Sequence, residues 1–180
     1  MIRWALLLLL AGCVHTPSHD ELQATTLTLR FQNYACSGTA VAPDLILTAK
    51  HCWKDVPLTV NGKAVEVKRP IEGEGDRLLI QLTKPVFTSI ARLGPPPKQG
   101  DRIRFWGTPR GTPNIYREGY VAGVVGHEVV IAAYACAGDS GSGLFSDTGQ
   151  VVGILTRLNV NAQAAECRFT FGEPNLPPRP

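Results

Sequence analysis

The sequence predicts an all-β protein, a barrel or a sandwich, whose two halves have about six strands each and fit two small barrels. From Thr25 onward it consists of short alternating or apolar segments separated by Gly, Pro and Asn, and no segment has the spacing of a long amphipathic helix. The Pro-rich segment 91–100, ARLGPPPKQG, divides this region into halves of similar size. We therefore expect barrel one over residues 25–92 and barrel two over residues 98–172, joined by a stiff linker.

The predicted strands of the first half are TLTLRF, SGTAVAP, LILTA, LTVNGKAVEVK and RLLIQL. Within the fourth segment, Asn61 and Gly62 lie between two alternating stretches and predict a β-hairpin. The second half has DRIRFWGTP, YREGYVAGVV, EVVIAAYA, SGLFS, QVVGILTRL and CRFTF. Residues 173–180 are expected to form a flexible tail.

The N-terminal segment MIRWALLLLLAGC has a positive residue, an apolar run and small residues before Cys13. This order is typical of an export signal, and LAGC resembles the lipobox of bacterial lipoproteins. The resemblance implies a signal peptide over residues 1–12 that is removed before Cys13, whose thiol carries diacylglycerol and whose amine is acylated, as with palmitate. A buried first helix ending at Gly12 is the alternative.

The lipoprotein interpretation places the protein in the bacterial cell envelope. We expect residues 13–24 to form the lipidated cysteine and a polar tether, with the acyl chains holding the protein at a membrane. Val14 after the cysteine resembles sorting to the outer membrane, on its periplasmic face. No second apolar run reaches the roughly 20 residues of a membrane-spanning helix.

The five cysteines fit an oxidising compartment. Without Cys13, an even number remains, which suits two disulfides. The sequence allows three pairings, and nearest-neighbour pairing would join Cys36 to Cys52 and Cys136 to Cys167. Zinc is disfavoured because no C-x-x-C or H-E-x-x-H spacing occurs, so we expect no metal and no cofactor. The formal charge of +3 is not gathered into a basic block, which argues against a nucleic-acid partner.

The stretch YACAGDSGSGLF, residues 134–145, contains two serines among three glycines. Neither Ser140 nor Ser142 lies in the G-x-S-x-G elbow of the α/β-hydrolases, and no histidine follows residue 127. A nucleophilic serine here therefore needs a histidine that comes earlier in the chain. His51, in LILTAKHCW, follows an apolar segment and precedes a cysteine, which makes it the best-held general base. A half-buried structural histidine is the alternative.

Several motifs together resemble the chymotrypsin-like (trypsin-like) serine proteases. These motifs are LTAKHC, with Lys50 in place of an alanine, then GDRLLIQL, GDSGSGLF and VVGILTRL. The resemblance extends from about Thr25 to Phe171. It implies two six-stranded barrels with the active site between them, and a serine endopeptidase that forms an acyl-enzyme. In this interpretation His51 is the base, Asp76 orients it and Ser140 attacks the peptide carbonyl.

The resemblance also assigns the residues around the nucleophile. The N–H groups of Gly138 and Ser140 would form the oxyanion hole, with Ser142 as a packing residue. Glu72 and Glu74 are alternative candidates for the acid that orients His51, and Asp76 would then be a solvated turn residue. Asp76 is favoured because it directly precedes an apolar strand.

Asp139 is expected to be buried. In activated family members a free amino terminus pairs with the corresponding aspartate, yet no cleavage motif precedes LTLRF. We therefore expect an internal partner for Asp139 or a different loop shape, and activity without zymogen cleavage.

Substrate choice is indicated by the expected cleft residues Tyr134, Thr156, Arg157 and Leu158. By resemblance, Tyr134 either shortens the primary pocket or points elsewhere. Because it is not an aspartate, a strong preference for Arg or Lys is not expected, and small or apolar side chains are favoured. The partners expected are a protein or peptide substrate and a membrane, with the protein a monomer. The alternative function is a catalytically silent binding lipoprotein on the same fold.

Overall fold

Two antiparallel sheets form the framework of the computed structural model, which describes residues 16–158 and 170–174. The first is a seven-stranded half-barrel sheet with the order β5-β4-β1-β2-β3-β7-β6. Its strands are β1 (Thr26–Phe31), β2 (Tyr34–Ala42), β3 (Leu45–Ala49), β4 (Leu58–Val60), β5 (Lys63–Val65), β6 (Val67–Glu72) and β7 (Arg77–Leu82).

The second sheet is a closed barrel with the order β10-β13-β12-β11-β8-β9. Its strands are β8 (Arg102–Gly107), β9 (Ile115–Val125), β10 (Glu128–Ala132), β11 (Gly143–Phe145), β12 (Val151–Leu158) and β13 (Thr170–Pro174). The predicted all-β fold class is confirmed, with one difference in the first half.

The first half has seven strands because the segment LTVNGKAVEVK divides into β4, β5 and β6. Asn61 and Gly62 both have positive φ, of 49° and 79°, and form the predicted tight turn between β4 and β5. Since β5 and β6 lie at opposite edges of the sheet, this half remains a half-barrel.

The cores of the two halves meet at the seam between them. Alternating residues such as Leu29, Ile46 and Ile80 are buried in the first sheet, and each contributes about 1.5–3 kcal/mol by burial. The same cluster includes Phe145 and Ile154 from the second barrel. The two halves therefore share buried apolar surface, which holds them in a defined relation.

A short helix, α1 (His19–Gln23), replaces part of the polar tether expected over residues 13–24. Ser18 and Glu21 form a capping box, which satisfies free N–H groups at the start of the helix. Leu22 is 2% exposed and packs in the core, while the His19 ring lies 4.8 Å from that of Trp106. Residues 18–24 are therefore part of the folded domain. The expected signal peptide and Cys13 lie outside the described residues.

The last strand also extends the barrel beyond its predicted limit. β13 includes Glu173 and Pro174, which the sequence assigned to a flexible tail, because this segment pairs with β12. Residues 175–180 lie outside the described part of the chain. Among residues 16–158 and 170–174, no helix has the length and apolar character needed to cross a membrane.

Candidate active site

His51 lies in the short 3-10 turn Lys50–Cys52, directly after β3. A disulfide joins the next residue, Cys52, to Cys36 on β2, as nearest-neighbour pairing predicts. Cys136 is also disulfide-bonded, and its expected partner Cys167 lies outside the described residues. The turn is thus anchored to the sheet, while the His51 side chain stays 40% exposed and accessible to a substrate.

Asp76 directly precedes β7, and the pairing of Ala49 with Arg77 brings it beside His51. Its Oδ1 accepts the His51 backbone N–H at 2.9 Å, and its Oδ2 lies 2.6 Å from Nδ1 of the ring. An ionised carboxylate can only accept, so Nδ1 is the donor in this contact, and in the neutral ring Nε2 is then the acceptor. This is the tautomer that a general base needs.

The competing carboxylate Glu72 has a different contact. It forms a surface ion pair with Lys50, and both side chains are largely exposed. Of the two acids, Asp76 is therefore the one that contacts the imidazole.

The glycines around Ser140 allow two close backbone approaches, one within the second barrel and one to the first sheet. Gly138 has φ of +99°, and a Cβ there would lie 2.2 Å from the Thr108 carbonyl oxygen. Gly141 has φ of +86°, and a Cβ would lie 2.2 Å from the Ser37 carbonyl oxygen. Both positions combine a backbone conformation that side chains disfavour with a lack of space.

Ser140 and His51 are brought to the same sulfur atom at the seam. The Ser140 carbonyl accepts the Ser37 N–H at 2.9 Å and lies 3.5 Å from Sγ of Cys52. The same Sγ is 4.0 Å from Nε2 of His51. Because this sulfur is in a disulfide, it makes contacts and donates no hydrogen bond. The Ser37 hydroxyl also donates to the Gly138 carbonyl at 2.9 Å, so the loop that carries Ser140 is fixed against β2.

The peptide between Ala137 and Gly138 has a defined orientation. Its carbonyl accepts the Arg110 N–H at 2.7 Å, and a planar trans peptide directs its N–H the opposite way. Within the described ranges, neither the Gly138 N–H nor the Ser140 N–H has an internal acceptor. These two N–H groups are the donors that the oxyanion hole expected from the sequence would use.

The two serines differ in what their hydroxyls contact. Ser142 is fully buried, and its Oγ donates to the Asp139 carbonyl at 2.7 Å. Ser140 is partly exposed. The Ser142 hydroxyl is therefore committed to the loop, as expected of a packing residue.

Asp139 is 0% exposed and has an internal cation as partner. Its Oδ2 accepts the Cys136 N–H at 2.7 Å and lies 3.0 Å from Nη1 of Arg117, on β9. Burial raises the pKa of Asp139, while these two partners oppose that rise. Gly107 leaves the space for the carboxylate, because a Cβ there would lie 2.0 Å from Oδ1.

Sequence reasoning missed Arg117, although a signal existed. Arg117, Gly119 and Val121 alternate along β9 on its less exposed side. A charged residue in such a position needs a buried partner.

The expected cleft residues differ in their surroundings. Tyr134 follows β10 and is 59% exposed. On β12, Thr156 is buried, whereas Arg157 is exposed and paired with Glu128. The backbone of Leu158 belongs to β12, but its side chain lies outside the described part of the structure. In the described ranges, no group of three or more potential ligands could hold a metal ion.

Comparison with known proteins gives a family and a fold. A family model described as the trypsin-like peptidase domain matches residues 36–154, which is more than half of the chain. No curated protein matches the sequence significantly.

Three solved structures of Rv3671c from Mycobacterium tuberculosis are similar to this chain. A serine-to-alanine mutant in the inactive form has a TM-score of 0.73 at 17% identity and covers 89% of this chain and 86% of its own. The protease in its inactive form has a TM-score of 0.70 at 20% identity, and the match covers 89% of this chain and 88% of that one. The active form has a TM-score of 0.71 at 18% identity, and the match covers 89% of this chain and 80% of that one. At these identities the likeness shows a shared fold.

Proposed function

Because this chain belongs to the trypsin-like peptidase family, we propose that it is an exported serine endopeptidase with His51, Asp76 and Ser140 as its triad. The observation that carries the proposal is the double contact between His51 and Asp76, in which one carboxylate holds both the backbone and the ring of the histidine. Such a contact orients a general base and stabilises the imidazolium that forms during reaction.

The proposed reaction proceeds through an acyl-enzyme. Nε2 of His51 takes the Ser140 hydroxyl proton as Oγ bonds to the peptide carbonyl carbon, and the N–H groups of Gly138 and Ser140 stabilise the oxyanion. The C–N bond then breaks, and His51 gives its proton to the leaving amine. Water, activated by His51, hydrolyses the ester, which releases the acid and restores the serine.

The Asp139–Arg117 ion pair supports activity without amino-terminal processing. The buried aspartate has an internal positive partner within 3.0 Å, so no amine released by cleavage is needed to balance it. We propose that the protein is active in its unprocessed fold, and that it takes small or apolar side chains at the cleavage site.

We also propose that the protein is anchored through a lipid on Cys13, at the periplasmic face of the outer membrane. The support is the N-terminal sequence MIRWALLLLLAGC. Labelled palmitate should be incorporated into the full chain and lost in Cys13→Ala. Equal incorporation in the two proteins would refute the anchor.

A fluorophosphonate probe tests the enzyme proposal on the untrimmed chain. Labelling should be lost in Ser140→Ala and retained in Ser142→Ala, the matched control. Casein hydrolysis should follow the same pattern. A folded wild-type protein that is neither labelled nor active would favour the catalytically silent binding lipoprotein. Activity that appears only after trimming near residue 25 would contradict activity without processing.

A further inference from the structure

Glu173, near the end of β13, contacts the loop that carries Asp76. Its Oε1 and Oε2 both accept the Asp76 backbone N–H, at 2.9 Å and 3.0 Å. The Glu173 side chain is 16% exposed, so the bond is largely shielded from water. This contact links a strand of the second barrel to a loop of the first sheet.

The loop is shaped around this carboxylate. Gly75 has φ of +63°, and a Cβ at that position would lie 2.4 Å from Oε1 of Glu173. Any side chain at residue 75 would therefore be strained and would displace the carboxylate. Close approach of the glycine backbone lets Glu173 reach the next N–H.

Glu173 completes a set of contacts that fixes Asp76. The Asp76 carbonyl accepts the Lys50 N–H, and Oδ1 accepts the His51 N–H. Both come from the turn that carries the histidine, whereas the bond to the Asp76 N–H comes from the other barrel. With these groups engaged, Oδ2 is directed to the ring nitrogen of His51.

We propose that Glu173 is a positioning residue, whose carboxylate holds the Asp76 backbone so that the aspartate keeps its orientation toward His51. This inference rests on the proposed function. A negative charge behind the aspartate also adds to the potential that stabilises the imidazolium.

The charges around Glu173 leave that negative charge only partly balanced. Arg77 is the nearby cation, with Nε 3.9 Å from Oε2. Asp76 and Glu128 are like charges that face the same carboxylate, and Glu128 is itself paired with Arg157. Burial raises the pKa of Glu173, as do these two acids, while the Asp76 N–H and Arg77 lower it.

Two substitutions at Glu173 separate its role as hydrogen-bond acceptor from the effect of its negative charge. Glu173→Gln keeps an oxygen that accepts the Asp76 N–H but removes the charge, and Glu173→Ala removes both. Glu66→Gln is the matched control, because this exposed acid on the first sheet contacts Thr83 and lies outside the site. Thermal unfolding of each variant shows whether it folds.

We expect kcat to fall about threefold in Glu173→Gln and about thirtyfold in Glu173→Ala, given the usual strength of hydrogen bonds to charged groups. KM should stay within about twofold of wild type, since the substrate is not contacted. The acidic limb of kcat/KM should move to lower pH in both variants, because a lost negative charge makes the imidazolium less stable. Glu66→Gln should leave all three measurements unchanged.

A readout independent of turnover separates this inference from the proposed function. The low-field proton resonance of the His51 Nδ1–H, assigned by its loss in His51→Ala, should shift or broaden in Glu173→Ala. An inactive wild-type protein would refute the peptidase, and the resonance would still decide the role of Glu173. Wild-type kcat in Glu173→Ala, an unmoved acidic limb in Glu173→Gln, or an unchanged resonance would each overturn the inference. If Glu173→Ala does not fold, the Gln variant decides by the same criteria.

Discussion

Replacing Arg117 by methionine removes the positive partner of the buried Asp139 while keeping an unbranched side chain. Asp139 is 0% exposed and the Arg117 side chain 12% exposed, so water replaces little of the lost interaction. Breaking a buried ion pair by removing one partner costs about 3–5 kcal/mol. Because the Cys136 N–H still donates to Asp139, we expect a loss of about 3 kcal/mol in the free energy of unfolding.

The deficit should depend on pH, with a sign that follows from the Asp139 pKa. Burial raises this pKa in the folded state, so the folded protein binds the proton more tightly than the unfolded chain does. The stability linked to that proton is fully present below the unfolded value and is lost as pH rises through the folded value. Without Arg117 the pKa rises further, so the variant should lose more stability at neutral pH than in acid.

Urea unfolding followed by tryptophan fluorescence measures both effects, at about pH 5 and about pH 8. The matched control is Arg102→Met, since Arg102 forms an exposed pair with Glu118 and such surface pairs contribute little to stability. The double variant Arg117→Met with Asp139→Asn should regain part of the stability, because no buried charge remains. Equal stability of the two single variants, or a deficit independent of pH, would refute the reasoning.

Three further substitutions test the catalytic geometry. Asp76→Asn should lower kcat about 10⁴-fold by favouring the wrong imidazole tautomer, and steady-state peptidase assays with normal activity would contradict this. Gly138→Ala should slow fluorophosphonate labelling about 10²-fold or more by displacing an oxyanion donor, because its Cβ would lie 2.2 Å from the Thr108 carbonyl; an unchanged rate would exclude that donor. Cys36→Ser opens a disulfide that spans 16 residues and should cost about 3 kcal/mol in urea unfolding, whereas a wild-type midpoint would argue against a stabilising role.

The strands and the contact between His51 and Asp76 were largely predictable from the sequence. Alternation and turn residues predicted the β-strands, and Asn61–Gly62 predicted the hairpin between β4 and β5. The position of Asp76 directly before an apolar strand distinguished it from Glu72, since pairing of β3 with β7 then brings it beside His51. Alternation, turn residues and the position of an acid beside a strand are patterns of a few residues, so they can be recognised in the sequence alone.

The residues that support the site were not predictable, because their partners are distant in sequence. Glu173 follows a glycine and precedes a proline, which is typical of a tail, yet pairing with Ile154 places it in the barrel. Gly153 permits this pairing, since a Cβ there would lie 2.4 Å from the Glu173 carbonyl oxygen. Tertiary pairing thus overrides the local signal. Leu22 was likewise assigned to a tether because its burial depends on packing against the core.

The second barrel contributes more to the site than the serine motif alone indicates. Ser140 comes from this barrel, Arg110 fixes the Ala137 peptide, and Glu173 holds the aspartate that orients His51. The His51–Asp76 pair therefore belongs to the first sheet by sequence but depends on β13 for its position. A change that loosens the pairing of β12 with β13 would move Asp76 without touching any catalytic side chain. Reaction geometry at such distances is sensitive to shifts of about 1 Å, so we expect catalysis to weaken before the fold does.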